Sequence, residues 1–376
     1  MPDPRKHPDF QVLQNEPLNG QPPLARVAER AVTPTELFYV RNHAPIPALD
    51  AADYRLEVEG MVERPLRLRL PDLQAMFPTV EVTATLQCAG NRRDELVRVA
   101  AIPGEVPWGG SALGTAVWRG TPLAEVLRGA GLLDGARHVA FLGLDRVVKG
   151  EEAFGFGGSV PLAKALDPDV LLAWEMNGEP LPAEHGHPLR VVVPGYVAAR
   201  SVKWLCRVRV QLEPSDNYYQ QRSYRLFPSS AAPETAEWSQ GLMLGELSLT
   251  SVICDPVDGQ ELAAGPVRLR GYAMAGGDRT VERVEVTADH GRSWGTARHE
   301  PAPPGVWSLW EAEVELPGGA HELACRAWDS AALTQPEDPA QLWNFKGYMN
   351  NAWHRVRVWC AGGDEEDGAL EDPRAE

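Results

Sequence analysis

The sequence predicts an α+β domain with mixed sheets, followed by an all-β sandwich of immunoglobulin-like type. Three observations carry this. The chain has 376 residues, enough for two domains at roughly 100–200 residues each. Up to about residue 228, strand patterns alternate with short helix patterns. Beyond the segment 228–246, almost only strand signals and turns remain, the spacing of an antiparallel sandwich.

Residues 1–35 are rich in proline and polar groups and read as an extended arm lying on the surface. The first domain then runs over 36–240. Residues 54–60 alternate apolar and polar and end on Gly60, a strand pattern. Residues 70–77 form a short helix with Pro71 in its first turn. Residues 80–86 are β-branched and alternating, a strand that delivers Cys88 into a loop. Residues 122–130 read as a helix, and 139–144 and 189–193 as buried strands. The second domain spans 241–362, with strands over 267–272, 281–287, 310–316 and 322–329. Gly276-Gly277, Pro303-Pro304 and Gly318-Gly319 supply turns between them. Positions 364–376 carry seven acids and one arginine, so 363–376 reads as a disordered acidic tail.

The formal net charge is −16, which argues against nonspecific binding to nucleic acid or to an anionic membrane. No run of about 18 apolar residues indicates a membrane span. The start, Met1-Pro-Asp-Pro-Arg-Lys-His7, lacks a basic-then-apolar leader pattern, so cytoplasm is the expected location. The five cysteines, at 88, 206, 254, 325 and 360, include no CxxC pair. That speaks against a zinc knuckle or a cysteine-held iron–sulfur cluster and for mostly reduced, buried thiols.

Chemistry concentrates in three segments. In Thr85-Leu-Gln-Cys-Ala-Gly-Asn-Arg-Arg93 a cysteine follows a strand and precedes a Gly-Asn turn and two arginines. Gly90 and Asn91 suit positive φ, and nearby guanidinium groups favour the thiolate of Cys88, the form that binds metals. The same pattern is compatible with a buried thiol beside a surface arginine pair. Phe38-Tyr-Val-Arg-Asn-His43 sets Arg41, Asn42 and His43 in an irregular stretch, suited to an anion or a polar heterocycle, or simply to a capped loop. Glu184-His-Gly-His-Pro-Leu-Arg190, with Arg200-Ser-Val-Lys203 after it, gathers histidine, arginine and lysine. His185 and His187 have no third ligand at zinc spacing, and phosphate suits this mixture of donors better. Together Arg41, His43, Arg92, Arg93, His185, Arg190, Arg200 and Lys203 form a basic set in an acidic chain. Such a set calls for a specific anion, either a phosphorylated cofactor or an anionic substrate.

These segments, with Trp174-Glu-Met-Asn-Gly178 and Asn351-Ala-Trp-His-Arg355, resemble the sulfite oxidase family of molybdenum enzymes over residues 35 to 360. The resemblance implies a molybdopterin-binding catalytic domain and a dimerisation domain. Cys88 would be the one protein ligand of molybdenum beside the two pterin sulfurs. The pterin would be held by Arg41, Asn42, His43, Asp145, Ser159, His185, Arg190, Ser201 and Lys203, with His185, Arg190 and Lys203 on its phosphate. The substrate pocket would use Arg41, Arg93, Trp108 and Tyr224. Lys346, in Asn344-Phe-Lys-Gly347, stands where animal members carry a third arginine, which keeps the charge but loses the fork.

The implied reaction is oxidation of sulfite to sulfate, with electrons passing to oxygen or to a separate acceptor protein, and the implied assembly is a homodimer. Two rivals stand beside it. One keeps the cofactor but runs as a reductase of nitrate or another oxo compound. The other is a non-enzymatic anion-binding protein. No GxGxxG or P-loop pattern offers a nucleotide site instead.

Overall fold

A computed structural model describes residues 6–362. The first five residues of the arm and the acidic tail lie outside the described residues.

The alternation read in the sequence forms the first sheet. In Leu56–Gly60, Leu56 and Val58 are buried, and Glu57 and Glu59, which alternate with them, are half-buried. This strand pairs in parallel with Leu205–Gln211 and antiparallel with Leu66–Leu68. His138–Gly143 and Gly157–Pro161 complete a mixed five-stranded sheet on the far side of Leu205–Gln211. A second, antiparallel sheet runs Glu179–Pro180, Leu171–Met176, Leu113–Pro122, Val80–Gln87, with Arg190–Val192 also on Leu171–Met176. The helix Leu70–Met76 starts with Pro71 in its first turn, where the missing N–H costs nothing. In Leu123–Ala130, residues Leu123, Val126, Leu127 and Ala130 recur on one face and are all buried. That stripe docks the helix on the core.

The arm is more than an extended strap. Gln11–Gln14 and Asn19–Gln21 form a hairpin whose second strand pairs with Val40–Arg41, and Leu24–Val27 is one helical turn. Asn19 is fully buried. Its amide oxygen accepts the Asn42 N–H at 2.8 Å, so the arm is tied to the segment that carries Arg41 and Asn42.

The second half is all-β, as expected, but its strands follow one hydrogen-bonded path instead of two separate sheets. The order is Thr250–Asp255, Gly265–Met274, Ser308–Leu316, Gly295–His299, Val281–Thr287, Gly319–Asp329, His354–Ala361, Gln260–Ala263. The short strand Gly295–His299 pairs on both sides and joins the two halves. The sheet curls until Thr250–Asp255 meets Gly319–Asp329, where Ser251 Oγ lies 3.4 Å from Cys325 Sγ.

The two halves are knit together. Val252, Cys254, Tyr272, Met274, Trp307 and Tyr348 of the second half belong to the apolar cluster that fills the first. Polar links reinforce this at the base of the Cys88 loop. Trp307 N–H donates to Thr85 Oγ1 at 2.9 Å, and Thr85 N–H to the Gly305 carbonyl at 2.9 Å.

Candidate active site

The strand Val80–Gln87 has one face half-exposed over its first four residues, and its last four are buried on both faces. The chain then turns at Cys88, whose N–H donates to the Ala112 carbonyl at 2.9 Å and whose carbonyl accepts from Asn91 N–H at 3.0 Å. The thiol sulfur accepts from Gly90 N–H at 3.4 Å. The positive φ expected of Gly90 or Asn91 falls instead on Arg92, at 64°. Gly90 is required for space: a Cβ there would sit 2.5 Å from an Arg93 guanidinium nitrogen. Asn91 bridges the loop to the second half, accepting from Ala112 N–H and donating to the Tyr272 hydroxyl, both at 2.9 Å.

The adjacent arginines do not act as a pair on the thiol. Arg92, fully buried, forks onto Glu95 with two contacts of 2.7 Å and donates to the Ala352 carbonyl at 2.7 Å. It is a bolt between the two halves. Arg93 donates from Nε to the carbonyls of Lys346 and Gly347, and from Nη1 to that of Val106 at 2.7 Å. Successive residues at the start of the helix Arg93–Val99 point in different directions, which spacing along the chain does not reveal.

Cys88 lies on the wall of a partly enclosed cavity of about 60 Å³. Arg41, Asn42, His43, Asp145, His185, Arg190, Ser201, Lys203 and Tyr224 line the same cavity, between apolar walls that include Phe38, Leu86 and Phe156. Four expected residues are not on this lining. The Ser159 hydroxyl accepts from Ser215 N–H at 2.8 Å and from the Gln220 amide at 2.9 Å. Trp108 is fully buried behind Tyr39, edge-on at 6.4 Å, and its indole N–H has no partner among the described residues. Arg93 and Lys346 stand behind Tyr348. Arg200, from the wider basic set, is also buried away from the lining, donating to the Leu244 carbonyl at 2.6 Å.

Charge in the cavity is unbalanced. Arg190 donates to the carbonyls of His185 and Ser201 at 3.0 Å each, while its Nε is buried without a hydrogen-bond partner among the described residues. Burial pulls its guanidinium down to about 10. Lys203 donates to the Glu184 carbonyl at 2.8 Å and to the Asn42 amide oxygen. Burial first, then Arg190, holds its ammonium well below the usual lysine range. Arg41 lies on the same lining. The carboxylate on that lining is Asp145, which burial raises although Phe156 N–H donates to it at 2.9 Å. Glu184 is set against Lys6, 3.8 Å away. Buried cations in surplus are costly unless an anion joins them, so the cavity fits a phosphate-bearing group. Among the described residues no three His, Cys, Asp or Glu side chains cluster as a metal site. Cys88 could therefore hold a metal only with further ligands brought by that group, which suits a dithiolene.

At the other side of the cavity the Tyr224 hydroxyl lies 2.9 Å from His43 Nε2. Burial pushes the Tyr224 phenol up, so it stays protonated as a donor. Burial, followed by Arg41 and Lys203, holds His43 well below its ordinary value, and the imidazole is neutral. Tyr348 stacks on Tyr224 at 5.4 Å, and the Arg93 guanidinium sits 5.2 Å over the far ring.

Three participants escaped the sequence reading. Lys6 donates to the Phe38 carbonyl at 3.1 Å and contacts His185 Nε2 at 2.9 Å; nothing in its neighbourhood marks it. Tyr348 follows Lys346 by two residues, and that adjacency was the available signal. Glu105 binds Lys346 and approaches Arg93 to 3.6 Å, from an unremarkable loop.

Comparison with known proteins identifies both halves of the chain. Residues 43–219 match the profile of the oxidoreductase molybdopterin binding domain, and residues 242–360 that of the Mo-co oxidoreductase dimerisation domain. The chain is 44% identical to sulfite oxidase of Gallus gallus, over 94% of this chain and 78% of that one. It is 40% identical to sulfite oxidase of Arabidopsis thaliana, over 94% and 95%. Among solved structures, the sulfane dehydrogenase SoxCD of Paracoccus pantotrophus superposes with a TM-score of 0.79 at 27% identity, covering 93% of this chain and 86% of that one. The cation-lined cavity beside a single cysteine and the match over both halves place the chain in the sulfite oxidase family of molybdopterin oxidoreductases.

Proposed function

We propose that the protein oxidises sulfite to sulfate at a molybdenum centre held by Cys88, with electrons leaving to oxygen or to a separate acceptor protein. The observation that carries this is the cavity itself. It joins a lone cysteine, a surplus of buried cations and a protonated tyrosine in one enclosure. When bound, the molybdenum cofactor supplies a centre for oxygen transfer that takes up two electrons. The chain does the rest. His185, Arg190 and Lys203 would take the pterin phosphate, Arg190 through its unpartnered Nε. Asp145 would accept from pterin N–H groups, and Asn42, Ser201 and the backbone around them complete the cradle. Arg41 would bind the oxyanion, and the Tyr224 hydroxyl would donate to it from a position fixed by His43 and Tyr348. Arg93, Trp108 and Lys346 shape the pocket from behind. Apolar walls exclude bulk water and strengthen each charge–charge contact.

The curled all-β second half would be a homodimerisation module, which light scattering tests. The reaction is tested by metal analysis and a sulfite–ferricyanide assay on wild type and Cys88→Ser. We expect about one molybdenum per chain and sulfite turnover, both lost in the variant. Full activity in Cys88→Ser, or no sulfite turnover by the metal-loaded protein, overturns the reading.

A further inference from the structure

Behind Tyr224 the two halves together build a compact charged group. Glu105 Oε1 binds the Lys346 ammonium, and Glu105 Oε2 lies 3.6 Å from Arg93 Nη2. Arg93 is almost fully buried, and the Glu105 and Lys346 side chains retain 17% and 19% of their surface. The same stretch wraps Arg93: the Lys346 and Gly347 carbonyls accept from its Nε at 3.1 and 3.2 Å. Gly347, at φ +59°, leaves no room for a Cβ, which would lie 2.6 Å from Arg93 Cγ. Tyr348 follows directly and stacks on Tyr224. The carboxylate is also close enough to bear on the pocket phenols. Burial first and Glu105 next push Tyr348 well up.

We infer that Glu105 is an internal counter-anion that partly neutralises Arg93 and Lys346 behind the pocket wall and so sets the affinity of the pocket for its anionic substrate. This rests on the sulfite-oxidation reading for the identity of the substrate. Lys346 Nζ and Arg93 Nη2 both face this carboxylate. An oxyanion in the cavity is drawn by the two cations and repelled by the carboxylate across a poorly screened distance. A neutral amide at the same place can still accept from Lys346 but carries no charge, so packing is kept while the repulsion is removed. Glu105 acts through the two cations and is a positioning residue, not a catalytic one. Its signature is an effect on affinity without one on turnover.

The test compares wild type, Glu105→Gln and Glu105→Asp as molybdenum-loaded full-length protein. Sulfite KM and kcat are measured at two ionic strengths, and sulfate binding by calorimetry. In Glu105→Gln we expect KM to fall about tenfold with kcat within twofold, and sulfate to bind about tenfold more tightly. Raising the salt should shrink the difference. Glu105→Asp, which keeps the charge, should stay near wild type. A rise in KM and weaker sulfate binding in Glu105→Gln would mean that Glu105 merely orients the cations, and would overturn the proposal. Unchanged values would do the same. If wild type turns over no sulfite yet Glu105→Gln binds sulfate more tightly, the counter-anion role stands and the sulfite reading falls.

Discussion

Replacing Arg92 by methionine tests whether the bolt between the two halves is electrostatic. In the wild type, burial pulls the Glu95 carboxyl up and Arg92 more than offsets it, leaving Glu95 below its ordinary value. A group depressed in this way adds stability above its unfolded pKa, and that stability is lost as pH falls through the folded value. Arg92→Met removes the fork and leaves a carboxylate in a largely buried place. Breaking one side of such a pair costs about 3–5 kcal/mol. The Glu95 side chain keeps 17% of its surface, and Asn350 still donates to it at 3.2 Å, so about 3 kcal/mol is expected. The carboxyl would then sit above its unfolded value, so the sign of its pH dependence reverses. The deficit against wild type should be larger at pH 8 than near pH 4.5. The double variant Arg92→Met/Glu95→Gln should recover part of the loss, since it no longer strands a charge. Chemical denaturation at both pH values reads all of this. A deficit under 1 kcal/mol, or one that is larger at the lower pH, would refute the account.

Two further outcomes follow from the site. Because burial, Arg41 and Lys203 keep His43 neutral, its imidazole signals in NMR of the labelled protein should not titrate between pH 5.5 and 8; a midpoint near 6.5 would contradict the assigned contact with Tyr224. Gly90→Ala sets a methyl 2.5 Å from the Arg93 guanidinium; it should cost about 1–3 kcal/mol of stability through overpacking and raise the sulfite KM several-fold, and unchanged values of both would show that Arg93 yields freely.

Much of the fold was legible because it rests on local periodicity. The alternation in Leu56–Gly60 and the helical stripe in Leu123–Ala130 each bury one face, and burial is what the pattern encodes. The curled sheet was less legible. Whether eight strands form two sheets or one path depends on the pairing of the five-residue strand Gly295–His299, which no local pattern specifies. At the site, residues with unusual neighbours were found: Cys88, Arg41, His185, Arg190 and Lys203 all line one cavity. The arginine pair misled, because adjacent side chains at a helix start diverge and Arg92 faces the other half of the molecule. Lys6, Glu105 and Tyr348 come from ordinary-looking stretches. Only tertiary packing gives them their partners.

The span of the chain that encloses the cavity has a kinetic meaning. One wall is tied by Lys6 and the other is backed by Lys346 and Tyr348, so the enclosure joins the two extremes of the described sequence. Contacts so distant along the chain are the slowest to form, since the whole intervening loop must close before they reward it. On the ribosome, the stretch at 344–352 emerges after every residue that lines the cavity, so the lining is made before its backing.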